Sequence, residues 1–165
     1  MIGTTVELDV PQGIETTYDW VVDRDTPIRM IHSRGPVPGF KSYKLLDGDW
    51  KHEGARRRVT LDDGSTLTES IKTIQRPDYF DYELTDFKDT PALLRILLKR
   101  SYGQWWFEST KDIGTHIRWR YSFEPQSPWL TPLLWLFTNT VYRSYLKAAL
   151  QEMKRFSKDQ GLSLA

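Results

Sequence analysis

From Thr4 to Val10, apolar Val6, Leu8 and Val10 alternate with polar residues, which predicts a half-buried first strand closed by Pro11. The period then changes: Ile14, Tyr18, Val21 and Val22 recur at helical spacing. Thr26-Pro27 offers an N-cap hydroxyl and a first-turn proline for a second short helix. After Pro36-Val37-Pro38-Gly39 come six strand-like runs: Phe40 to Leu46, Ala55 to Leu61, Thr66 to Gln75, Tyr79 to Leu84, Tyr102 to Ser109 and Thr115 to Phe123. Asp47-Gly48-Asp49, Asp62-Asp63-Gly64, Arg76-Pro77-Asp78 and Lys111 to Gly114 separate them, and links this short imply antiparallel neighbours. Between the fifth and sixth strands of the chain, Thr90-Pro91 introduces Ala92 to Leu98, where leucines stack at i,i+4 as a short apolar helix or flap.

The last segment carries the strongest helical pattern. Leu134, Phe137, Val141, Tyr142, Tyr145, Ala149, Met153 and Phe156 fall on one broad stripe at about 100° per residue, with Arg143, Lys147, Lys154 and Lys158 opposite. Ser127-Pro128 and Thr131-Pro132 are both candidate starts, the second preferred for a helix from Pro132 to Gln160, and Gly161 is a candidate stop. One strand, two short helices, six strands and one long amphipathic helix place the helices on one face of a curved antiparallel sheet. This is an α+β arrangement, with the long helix covering the concave face.

Composition narrows the function. With 165 residues and neither repeats nor low-complexity tracts, residues 1–165 read as one domain. The absence of Cys removes disulfides, thiolate metal sites and cysteine nucleophiles. A net charge of +1 gives no reason to expect a nucleic-acid partner. The longest apolar stretch, Trp129 to Phe137, is interrupted by Thr131 and Pro132 and falls short of the roughly 20 residues of a membrane span. The first residues lack the pattern of a secretory signal, so the expectation is a cytoplasmic protein without an integral membrane segment. Aromatic residues are abundant, at 7 Trp, 8 Tyr and 7 Phe, and must dominate the interior.

Four stretches, in order, resemble the SRPBCC superfamily. They are Gly35-Pro36-Val37-Pro38-Gly39; Gly54-Ala55-Arg56-Arg57-Arg58-Val59 with Asp63-Gly64 and Glu69; Trp105-Trp106-Phe107; and Gly114-Thr115 leading to Trp119. The resemblance runs over nearly the whole chain. It implies the helix-grip fold of START lipid-transfer domains, the birch-pollen allergen family and polyketide cyclases, a seven-stranded sheet wrapped around a C-terminal helix. It also implies a ligand cavity between them, but no single activity.

The hairpin from Arg56 to Thr73 carries the most specific chemistry. A three-residue loop of Asp62, Asp63 and Gly64 sets Val59 against Leu67 and Arg57 against Glu69, all facing the cavity with Ile71. A two-residue loop would bring Arg58 to Glu69 instead and mate apolar with polar residues, so the three-residue loop is favoured. Arg57 and Glu69 then either satisfy each other or meet a ligand, Arg57 a carboxylate or phosphate and Glu69 a hydroxyl. Strand alternation adds Phe80, Tyr82, Trp105, Phe107, Ile117, Trp119 and Tyr121 to the inward face, and Leu134, Phe137, Val141 and Tyr145 approach from the helix. A filled aromatic core would give the same pattern.

His32, His52 and His116 lack metal-site spacing and read as surface residues, so no metal is expected. Gly35 to Gly39 is a poor phosphate cradle, no nucleotide motif or G-x-S-x-G elbow occurs, and no cofactor is expected. The expected function is binding of a small hydrophobic or aromatic ligand, such as a lipid, quinone or polyketide-like ring system. One alternative is a cyclase or aromatase-like enzyme moving protons through Glu69, Arg57 or Tyr121. The other is an interaction module using the aromatics from Trp129 to Trp135. Monomer and weak homodimer are both left open.

Overall fold

The computed structural model describes residues 1–90 and 92–159. Seven strands, β1 (Ile2–Val10), β2 (Phe40–Leu45), β3 (Arg56–Leu61), β4 (Thr66–Gln75), β5 (Tyr79–Lys88), β6 (Leu98–Ser109) and β7 (Thr115–Pro125), form one antiparallel sheet in the order β1-β7-β6-β5-β4-β3-β2. Helices α1 (Ile14–Val22) and α2 (Thr26–Met30) come after β1, and α3 (Ala92–Leu97) joins β5 to β6. Four strands run further than their apolar alternation: β1 from Ile2, β5 to Lys88, β6 from Leu98 and β7 to Pro125. Cross-strand charge pairs join the added part of β6 to its neighbours: Arg100 Nη1 donates to Glu83 Oε1 at 2.9 Å, and Lys99 Nζ to Glu124 Oε1 at 3.1 Å.

The C-terminal helix is segmented. A 3-10 turn at Pro128–Leu130 leads into α4 (Thr131–Phe137), then a single π turn at Thr138–Tyr142, then α5 (Arg143–Asp159). Both candidate prolines therefore mark starts. Neither hydroxyl caps, because Ser127 makes no side-chain cap bond and Thr131 is already inside the first turn of α4. Thr26 likewise lies inside α2 behind Asp25 and turns its hydroxyl back onto the Trp20 carbonyl. The expected stop at Gly161, with Gln160, lies outside the described residues. A π turn inserts one extra residue and rotates the helix on its N-terminal side by about 100° relative to the helix on its C-terminal side. That explains why Val141 is only half-buried while Thr138 and Tyr142 are buried, and why Leu146 and Leu150, absent from the predicted stripe, are buried too.

The helix touches both edges of the sheet. Along one side α5 packs on β1. On the other, Tyr145 Oη donates to the Pro38 carbonyl at 2.8 Å and Arg34 Nε to Ser144 Oγ at 3.0 Å, in the loop that leads into edge strand β2. A sheet whose two edges meet one helix must curl around it. At the Phe107 end of β6 the space beneath the sheet is closed by α1, where the Tyr18 and Phe107 rings meet edge-on at 5.2 Å. Trp20 of α1 packs in turn on Phe156 of α5 at 6.1 Å. Among the described residues no helix is long and apolar enough to cross a membrane.

Candidate functional site

The β3–β4 hairpin takes the three-residue loop. Leu61 N–H donates to the Ser65 carbonyl at 2.8 Å, and Gly64 sits at φ +87°, a left-handed conformation that costs glycine nothing. Val59 then faces Leu67, and Arg57 faces Glu69. Both charges are buried, Arg57 at 2 % exposure and Glu69 at 6 %. Arg57 Nε donates to Glu69 Oε2 at 2.8 Å and its Nη1 to the Arg24 carbonyl at 2.8 Å. The guanidinium also lies over the Trp50 ring at 4.0 Å from its centroid, with Phe40 and Tyr43 at 5.1 and 5.4 Å. Desolvated cation–π contacts of this kind contribute about 2 kcal/mol. Arg57 is thus held by its own chain on several sides, forming an internal ion pair with Glu69 at the cavity wall.

A cavity of about 140 Å³ remains between strands β3 to β7 and the C-terminal helix. Eleven of the sixteen predicted lining residues reach it: Arg57, Val59, Leu67 and Glu69 from the hairpin; Phe80, Tyr82, Trp105, Trp119 and Tyr121 from the next three strands; Phe137 and Tyr145 from the helix. Five do not. Ile71, Phe107 and Ile117 are buried on the same sheet face but in closed packing, with Phe107 taken up by Tyr18. Leu134 is fully buried away from the cavity, and Val141 is carried to the side of it by the π turn. Tyr142 takes the place that Val141 was expected to fill.

Sequence reasoning missed Met30, Phe40, Trp50 and Leu98, all at the wall. Met30 ends a five-residue helix, and Trp50 lies in an Asp- and Gly-rich loop without periodicity. The only available signal at Trp50 was a large aromatic side chain among turn formers. In the β6 register Trp106 points outward, where Arg118 lies 5.0 Å above its ring, while Trp105 stacks inward on Trp119 at 4.3 Å and 15°.

The polar groups of the cavity gather on β5, β6 and β7. Gly103 faces Tyr82 on one side and Tyr121 on the other. The Tyr82 ring lies across it, so closely that an added Cβ would sit 2.6 Å from Cε2 and closer still to Cζ and the hydroxyl oxygen. The glycine is what lets the Tyr82 hydroxyl reach toward β7. Tyr121 Oη and Ser101 Oγ are hydrogen-bonded at 3.2 Å. Burial pushes the Tyr121 hydroxyl up to about 12 and raises Tyr82, Tyr142 and Tyr145 as well, so all four are neutral hydrogen-bonding groups at physiological pH. Among the described residues no three of His, Asp or Glu are grouped to hold a metal. His116 and His52 instead pair on the surface with Asp9 and Asp49, at 2.6 and 2.7 Å.

No protein-family model and no curated protein matches this sequence. Solved structures do. XoxI from Bacillus cereus superposes with a TM-score of 0.68 at 15 % identity, over 96 % of this chain and 97 % of that one. Ara h 8.0201 gives 0.66 at 14 %, over 96 % and 98 %. This is the helix-grip fold. A point mutant of norcoclaurine synthase from Thalictrum flavum, solved with a transition-state analogue, has the same fold with a TM-score of 0.66 at 10 % identity, over 95 % and 96 %. The helix-grip architecture is thus covered end to end, as the resemblance to the SRPBCC superfamily implied.

Proposed function

We propose that this protein binds a small hydrophobic or aromatic molecule in the cavity between its sheet and C-terminal helix. The observation that carries the reading is the cavity itself, about 140 Å³ of space walled mainly by apolar and aromatic side chains. Interiors normally close to crystal-like density, and an apolar void of about 150 Å³ is known to admit a benzene-sized guest. Ligand sites of this kind combine apolar walls with a few polar groups that set orientation, which is the distribution that Tyr82, Tyr121 and Glu69 give here. A lipid or a polycyclic ring system would need more room, and rotation of Phe137, half-buried on the helix, would supply it. Catalysis is not part of this reading, because the carboxylate proposed to move protons, Glu69, is held by Arg57.

The experiment is native mass spectrometry of freshly purified protein, with extraction and identification of any retained molecule, alongside quenching of tryptophan fluorescence by small aromatic probes. Saturable quenching that Trp119→Phe abolishes supports the cavity as the site. Probes that leave the fluorescence unchanged up to their solubility limit, together with an empty extract, refute it.

A further inference from the structure

The outer side of the C-terminal helix divides into an apolar half and a basic half. Trp129, Leu133, Leu136 and Thr140 follow one another at three- and four-residue steps, and all are exposed. The same spacing continues in α5 through the exposed Arg143, Lys147, Gln151, Lys154 and Lys158. The π turn keeps this ridge continuous, because Leu134, Thr138 and Tyr142 are buried at four-residue steps and leave Leu136 and Thr140 facing outward between them. Residues 125–142 contain no charged side chain. No acidic residue stands on the ridge, and Glu152, next to it, pairs with Arg155 at 3.3 Å.

The apolar half is unusual in its exposure. Trp129 is 91 % exposed and Trp135, beside the ridge, 58 %, with Leu133 and Leu136 about half-exposed. Together they present roughly 500 Å² of side-chain surface. Each partner of a standard protein interface gives about 800 Å², so a second copy of the chain would have to engage the basic half as well. A two-fold contact then sets the basic half against itself or against the partner's apolar half, and neither is complementary.

An anionic membrane surface matches both halves. Tryptophan suits the boundary between headgroups and acyl chains, with its ring in the apolar layer and its N–H in the polar one. Lysine and arginine meet the negative surface potential of the leaflet. Trp129 stands on the 3-10 turn Pro128–Leu130, almost free of its own chain, and a fluid surface closes around a projecting ring without being shaped for it.

We propose that the outer ridge of the C-terminal helix docks this protein on a membrane containing anionic lipid. The segment from Trp129 to Leu136 enters the interface, and Arg143, Lys147, Lys154 and Lys158 hold headgroups. This docking is independent of whether the cavity takes a guest.

Co-sedimentation with vesicles tests it, comparing phosphatidylcholine alone with phosphatidylcholine and phosphatidylserine at about 7:3. The protein is expected to bind the mixed vesicles, far less the neutral ones, and to be released by salt. Replacing both tryptophans, Trp129→Ala with Trp135→Ala, should weaken binding about tenfold or more. Lys147→Gln with Lys154→Gln should weaken it about fivefold for each charge removed. In the native protein, brominated phospholipid should quench tryptophan fluorescence, and Trp129→Phe with Trp135→Phe should remove most of that quenching. Failure to bind the mixed vesicles, equal binding to neutral ones, or binding undiminished by the double alanine variant overturns the proposal. A dimer that sediments as such without lipid, and that the double alanine variant breaks, would assign the ridge to a second copy and overturn it as well.

Discussion

Replacing Gly103 with alanine should be harmful for one reason only, and that reason can be removed. Gly103 has ordinary extended-strand neighbours on both sides, and it is not among the residues with positive φ, so alanine fits its backbone. The obstacle is Tyr82. A Cβ 2.6 Å from Cε2, and nearer to Cζ and the hydroxyl oxygen, must push the ring end about 1 Å or more to reach ordinary contact at 3.4 Å. Overpacking of this size costs about 1–3 kcal/mol. The adjoining cavity gives the ring somewhere to go, which places the expected loss toward the lower end. Leucine lacks the atoms that clash, so in a Tyr82→Leu background the sign reverses. There Gly103→Ala should stabilise by about 0.5–1 kcal/mol, the ordinary gain from removing a glycine within a strand. Urea denaturation of the four proteins closes the cycle. A Gly103→Ala effect equal in the two backgrounds would refute the placement of the ring. Within the wild-type background, the displaced ring also intrudes on the cavity, so affinity for any probe bound there should fall together with stability.

The buried ion pair gives a second expectation. Arg57→Met leaves Glu69 without its partner and should cost about 3–5 kcal/mol, whereas Arg57→Met combined with Glu69→Leu should recover most of that loss, as read from denaturation midpoints. A double variant no better than the single one would show that the Trp50 and Arg24 contacts, rather than charge pairing, dominate. A third concerns alkaline pH. The Tyr121 hydroxyl is raised by burial from 10.0 to about 12 in the folded protein, so the folded state holds its proton more tightly than the unfolded one. The stability this contributes is whole below about pH 10 and is lost as pH rises toward about 12. Tyrosinate absorbance should therefore rise steeply and together with the loss of circular dichroism. Gradual ionisation of these tyrosines with the fold intact would contradict their burial.

The elements were legible wherever one period ran without interruption. The hairpin register came from two local facts, a glycine able to take a left-handed turn and the mating of Val59 with Leu67, and both survive in three dimensions. Alternation also told which sheet face each aromatic side chain takes. It could not tell how far along a strand the covering helices reach. That is why Phe107 and Ile117 are expected at the cavity, whereas Phe107 lies under Tyr18 of α1 and Ile117, its partner across the strands, is buried in closed packing. Residues without periodic context, such as Trp50 in its loop, were invisible because burial there is set by the Arg57 guanidinium rather than by a repeating pattern. The π turn was hidden for a related reason: one inserted residue leaves each half of the helical stripe intact and changes only their relative phase.

The π turn at Thr138–Tyr142 makes the C-terminal helix behave as two cams on one shaft. Deleting one residue within it would restore a continuous α-helix while turning every side chain upstream by about 100°, swinging Phe137 away from the cavity. Sequence length at this point therefore meters how wide the chamber opens, and natural or engineered chains that differ by a single residue here should hold differently sized guests on an otherwise identical frame.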